Sequence, residues 1–187
     1  MAALTSADPL AEICAREEIR DVLARYCHAI DRRQWNNLAA VFWPDARVEY
    51  GLYDDRADGF VPVVQALYEE LRIDITQHFI GNCILRVTGN EGCGETYVHA
   101  LHRVPAEDGT FQDLLMGSRY LDTFRCRDGE WRISARKVAF DWLRVIPDSP
   151  GWDTGAFGIN AASAYIGRPT PDSGAAITRA LEGLTNA

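Results

Sequence analysis

Between Ile75 and Trp142 the chain reads as four strand segments joined by short turns, with no helical segment between any two of them. Ile75 to Val87 is rich in β-branched and aromatic residues, Gly89-Asn90-Glu91-Gly92 is a turn, and Gly94 to Val104 is a second strand. Asp108-Gly109 then leads into Phe111 to Arg127, and Asp128-Gly129 into Trp131 to Trp142. Strands joined by tight turns pair antiparallel, whereas a parallel nucleotide-binding sheet needs a crossover helix between neighbours. The doubly wound folds are therefore excluded.

Upstream of this run the spacing is helical. Asp8-Pro9 supplies an N-cap followed by proline in the first turn, and Ile19, Val22, Leu23, Tyr26 and Ile30 share one helix face. Trp35, Leu38, Ala39 and Phe42 repeat the helical spacing over a shorter span, which Pro44 closes by pushing Trp43 towards an extended conformation. Ala46, Val48 and Tyr50 alternate with Arg47 and Glu49 as a half-buried strand, and Gly51 to Gly59 is a polar loop. Phe60, Val63, Val64, Leu67, Tyr68 and Leu71 form a third amphipathic helix, with Pro62 in its first turn. Helices followed by hairpin-connected strands predict an α+β domain, with the helices on one face of a curved antiparallel sheet. That domain spans residues 9–145. From 146 to 187 the composition turns to Pro, Gly, Asp, Ser and Ala, interrupted by Trp152, Phe157, Ile159, Tyr165 and Ile166. Short helices are expected at Ile159 to Ile166 and Ala175 to Leu184, in an extension that lies over the barrel or on a neighbouring subunit.

At 187 residues, 47% hydrophobic and 25% charged, the chain has the length and composition of one soluble domain. Its formal charge of -8, with no Lys/Arg cluster, argues against nucleic acid as a partner. Apolar runs fall far short of a membrane span. Five scattered cysteines without a C-x-x-C pair, and no charged-then-apolar leader, point to a reduced, cytoplasmic setting.

Asp31 closes the first helical pattern, where a carboxylate meets the negative pole of the helix dipole and needs a partner. Arg32 and Arg33 are the local candidates; a group across the fold is the other. His78 lies on a strand that puts Thr76, His78 and Ile80 on one face. A histidine fixed through one nitrogen by a carboxylate presents the other as a base, although a buried structural histidine gives the same pattern. His99 and His102, with Cys93, suggest a metal, but an odd separation on a strand sends the two histidines to opposite faces, so no metal is expected. Tyr97 and His99 share a face and either both line a pocket or are an ordinarily packed tyrosine and a surface histidine. Arg132, Ser134 and Arg136 alternate with Trp131, Ile133 and Ala135, and plain alternation places the arginines on the solvated face; an inward guanidinium would need an anionic partner.

The stretches Tyr26-Cys-His-Ala-Ile-Asp31, Phe42-Trp-Pro-Asp-Ala46, Gln77-His-Phe-Ile-Gly-Asn82 and Arg127-Asp-Gly-Glu-Trp-Arg-Ile133 resemble the SnoaL-like branch of the nuclear-transport-factor-2-like superfamily. Within it the chain is most similar to scytalone dehydratase, bile-acid 7α-dehydratase and hexachlorocyclohexane dehydrochlorinase. The resemblance implies a cone-shaped barrel in which a bent sheet wraps around the N-terminal helices and leaves a deep apolar pocket. It also implies an Asp-His dyad at Asp31 and His78, an arginine at Arg136 that assists the leaving group, and a polar pocket residue at Tyr26. Trp43, Tyr50, Tyr97 and His99 are the expected substrate-binding residues. The function so implied is a cofactor-independent lyase on a small, apolar, cyclic substrate, with a homo-oligomeric assembly, a trimer or else a dimer. A proton-abstracting isomerase or a cyclase could use the same groups. A non-catalytic β subunit of an aromatic-ring dioxygenase, or a small-molecule binding protein, would share the fold.

Overall fold

The computed structural model describes residues 8–51 and 53–149; the expected helices of the C-terminal extension lie outside the described residues. The elements are α1 (Pro9–Asp31), α2 (Trp35–Ala40), β1 (Phe42–Tyr50), β2 (Tyr53–Arg56), α3 (Ala57–Glu70), β3 (Ile75–Thr88), β4 (Glu91–Pro105), β5 (Phe111–Arg127) and β6 (Glu130–Pro147). Asp8 caps α1 by accepting hydrogen bonds from the amides of Leu10 and Ala11. The face of α1 read from the sequence, Ile19, Val22, Leu23, Tyr26 and Ile30, is buried.

The six strands form one open sheet in the order β2-β1-β6-β5-β4-β3. The three hairpins β3–β4–β5–β6 are antiparallel as expected, while β1 and β6, the first and last long strands, run parallel. Helix α1 packs against β3 and β6, strands that β5 and β4 separate, so the sheet must curve around it. Register shifts at Ile80/Cys83, Gly117/Ser118 and Thr123/Phe124 supply the extra residues that let long strands bend. Helix α3 covers β1 and β2. The core lies between the three helices and the concave face of the sheet.

Several boundaries differ from expectation. The polar Tyr53 to Arg56 segment, read as loop, is a short edge strand paired only to β1; its exposure hides the alternation that marks a half-buried strand. Helix α3 begins at Ala57, so Pro62 is inside it rather than in its first turn. Helix α2 stops at Ala40 and Phe42 already belongs to β1. Glu91 and Gly92, read as part of a turn, already belong to β4, and a Cβ on Gly94 would lie 2.5 Å from a Leu85 methyl and 2.8 Å from the Ile84 carbonyl oxygen, so glycine there serves close packing.

Both α1 and α3 end in the same way. The amide of Gln34 bonds to the carbonyl of Ala29 and that of Arg33 to Ile30; the amide of Ile73 bonds to Tyr68 and that of Arg72 to Glu69. These are paired six-to-one and five-to-two bonds, which require a left-handed residue after the helix cap, usually glycine. Here arginine takes that place twice, Arg33 at φ 54° and Arg72 at φ 48°. For a residue with a Cβ this conformation costs roughly 1–2 kcal/mol.

Candidate active site

Strand pairing places three parallel rows of side chains across the concave face. They are Thr76, His102, Leu114 and Val145; His78, Ala100, Met116 and Leu143; and Ile80, Val98, Ser118 and Phe140. Phe140 is 49% exposed and Leu143 and Val145 each 56%, although they face inward, so among the described residues this part of the concave face is an open apolar hollow. His78 stands at its β3 edge.

The last residue of α1 meets His78 there. Asp31 Oδ2 accepts the backbone N–H of His78 at 2.9 Å, and its Oδ1 lies 2.7 Å from the ring Nδ1. Both side chains are mostly buried, with 4% of the His78 side chain and 13% of that of Asp31 exposed. An ionised carboxylate only accepts, so Nδ1 carries a proton, and in the neutral ring the lone pair is then on Nε2. The two donors also offset the unfavourable helix-end position of Asp31.

His102, which sequence reasoning considered only as a metal ligand, shares this face. Its ring meets His78 edge-on at 5.5 Å and Tyr68 at 6.0 Å, and its Nδ1 lies 2.9 Å from Thr76 Oγ1. Burial, and then the neighbouring His78, lowers its pKa to about 3, so it is a neutral imidazole beside the Asp31–His78 pair. Strand parity alone misplaces it: pairing the hairpin about its turn, Thr88 with Glu91, would set Thr76 opposite Arg103, and the register shift between Ile80 and Cys83 brings His102 opposite Thr76 instead.

Tyr26 and Arg136 form a second cluster, five residues back along α1 from Asp31, or about 7.5 Å of helix rise. Arg136 donates from Nε and Nη2 to Asp122 at 2.8 and 2.7 Å, and its guanidinium lies between the rings of Tyr26 and Tyr120 at 4.1 and 3.9 Å. Its side chain is wholly enclosed. Burial works against the charge, but the attraction of Asp122 outweighs it and raises the pKa of Arg136. Arg136 Nη1 and the Tyr26 hydroxyl are buried beside one another without a hydrogen bond of good geometry. Plain alternation had put Arg136 on the solvated face. The extra residue at Ser134, where Ile133 pairs with Phe124 and Ala135 with Thr123, reverses the parity and turns Arg136 inward with Trp131 and Ile133.

Of the four expected substrate-binding residues, Tyr50 reaches the hollow: its ring meets Phe140 at 5.3 Å and Phe60 at 5.6 Å. The other three do not. Trp43 lies on the convex side, its indole N–H donating to the Arg125 carbonyl and its ring between Arg127 and Arg132. Tyr97 and His99 are exposed on the convex face, where His99 stacks edge-on with Trp142. His99 and His102 thus face opposite sides, as their odd separation requires. Among the described residues, no three His, Cys, Asp or Glu side chains converge as a metal site.

Residues 11–137 match the SnoaL-like domain. The chain belongs to that family. The uncharacterized protein Rv2910c of Mycobacterium tuberculosis is 32% identical over 130 residues, covering 68% of this chain and 86% of that protein. Among solved structures the SnoaL-like fold here is similar to a hexachlorocyclohexane dehydrochlorinase, LinA type 2, with a TM-score of 0.65 at 21% identity over 73% of this chain and 92% of that one. It is also similar to a scytalone dehydratase-like protein from Novosphingobium aromaticivorans, with a TM-score of 0.63 at 20% identity over 73% and 91%. At such identities the likeness establishes the fold, the nuclear-transport-factor-2-like cone.

Proposed function

We propose that this SnoaL-like protein is a cofactor-independent lyase that eliminates water or a similar leaving group from a small, largely apolar, cyclic substrate held in the concave hollow. The observation that carries the reading is the double hydrogen bond from Asp31 to the backbone and ring of His78. It fixes the tautomer, leaves Nε2 as the base and provides a carboxylate to stabilise the imidazolium that forms. In the proposed step Nε2 takes a proton from carbon, the C–H electrons become the new C=C bond, and the leaving group departs with the electrons of its own bond. The proton on His78 then returns to departing hydroxide as water. Arg136 Nη1 and the Tyr26 hydroxyl, both buried and uncommitted, are the donors suited to developing negative charge on oxygen. Tyr50, Met116, Phe140 and Leu143 supply apolar wall. The similarity to a dehydrochlorinase and a dehydratase-like protein supports elimination over other uses of the same base.

The test is a panel of cyclic β-hydroxy ketones and halogenated rings, followed by mass spectrometry for loss of water or hydrogen halide in wild type and His78→Ala. Elimination by wild type that falls at least 10²-fold in the variant is expected, the range of general-base catalysis being about 10² to 10⁴. Equal rates in the two proteins would place the base elsewhere.

A further inference from the structure

A cleft of about 490 Å³ opens where α1 and α3 terminate, away from the concave rows, and is lined by Arg33, Trp35, Tyr68, Arg72 and Phe111 among others. We propose that it is a second binding site, for a carboxylate carried on a flat aromatic body, with Arg72 recognising the charge. Arg33 and Arg72 occupy the left-handed positions that end the two helices, where glycine is the residue of least strain. Two of the three non-glycine residues with positive φ in the described chain therefore border one cleft, and the third, Asp128, is in a hairpin turn. Strain concentrated at one place indicates that the side chains, rather than the backbone, are what the position retains.

The two arginines play different parts. Arg33 donates to the carbonyls of Ile73 and Asp74, so its charge is fixed in the cleft wall. The Arg72 side chain is exposed, makes no hydrogen bond or ion pair among the described residues, and is free to meet a ligand. Of the two acids that also line the cleft, Glu69 accepts from Gln65 and Asp74 is already engaged. A guanidinium pairs with a planar carboxylate through two parallel hydrogen bonds. The walls suit a flat body: Trp35 and Tyr68 meet edge to face at 5.7 Å, and the Phe111 ring is held under Arg103 at 4.7 Å. Tyr68 forms the boundary between this cleft and His102 on the concave side, so the site is distinct from the one proposed for elimination.

Calorimetric titration of the full chain with 1-naphthoate and with neutral 1-naphthylmethanol tests this. Saturable binding of naphthoate is expected, with the alcohol at least tenfold weaker. Arg72→Gly, which relieves the backbone and so keeps the fold, should weaken naphthoate at least tenfold and erase the preference, while His78→Ala should bind it as wild type does. Absence of naphthoate binding, equal affinity for acid and alcohol, or undiminished binding by Arg72→Gly would overturn the proposal. Loss of binding in His78→Ala would do so as well, by moving the ligand to the concave face.

Discussion

Asp31 holds His78 through two of the imidazole residue's donors, and each bond predicts a separate loss. Asp31→Asn keeps a side-chain oxygen able to accept one of them but removes the charge that stabilises an imidazolium. Turnover should therefore drop by a factor comparable to or smaller than the loss of at least 10²-fold expected for His78→Ala, with far-UV circular dichroism unchanged. His102 offers a test that needs no substrate. Its folded pKa is about 3 against 6.5 for the free side chain, so between those values the unfolded chain binds more protons than the folded one. Stability contributed by its burial is complete above about pH 6.5 and is lost on acidification towards 3, at up to about 1.4 kcal/mol per pH unit. Urea unfolding across this window should show a shallower pH slope for His102→Gln than for wild type; equal slopes would mean that other groups set the acid sensitivity. Asp31 was legible in the sequence because a carboxylate at a helix end calls for a partner. His102 was not, because β4 alternates Tyr97, His99 and Leu101 with Val98, Ala100 and His102, two sets too alike in polarity to say which is inside. Trp43 could have been placed: it has the parity of Asp45 and Arg47, not that of the buried Phe42 and Ala46.

At the level of elements, the two helix ends make a contrasting pair of variants. Arg72→Gly should raise stability by about 1 kcal/mol in denaturant unfolding, since it removes the left-handed strain and the Arg72 side chain makes no hydrogen bond among the described residues. Arg33→Gly relieves the same strain but forfeits the bonds to Ile73 and Asp74 that tie α1 to the segment before β3, so its gain should be smaller or reversed. If both variants gain equally, the bonds of Arg33 contribute nothing. The hairpins were readable because Asp-Gly and Gly-Asn turns announce themselves locally. The bulges were not, since one inserted residue leaves composition and spacing almost unchanged while exchanging the two faces of everything beyond it. Arg136 shows the consequence, an arginine read as solvated that proves to be enclosed. The parallel union of β1 with β6 was hidden for a different reason: it joins the two ends of the domain, and no local pattern encodes such a distant pairing.

For the whole molecule, helix and strand order alone implied an α+β domain, and resemblance narrowed it to the cone that the structure displays. Among the described residues the convex face leaves Phe79 at 69% exposure, with Tyr97 and Trp142 also exposed, and apolar patches on such a face mark where chains meet. We expect light scattering at micromolar concentration to return a multiple of the chain mass, a trimer or a dimer, and a single chain mass would refute the assembly. No described helix is long and apolar enough to cross a membrane. The proposed elimination requires Asp31 to hold His78 as a neutral base with Nε2 unprotonated, and nitrogen-detected NMR of the labelled imidazole reads this directly. Near neutral pH the His78 ring should show the Nδ1–H tautomer in wild type and lose that preference in Asp31→Asn; a proton resident on Nε2, or a spectrum unchanged by the substitution, would contradict it.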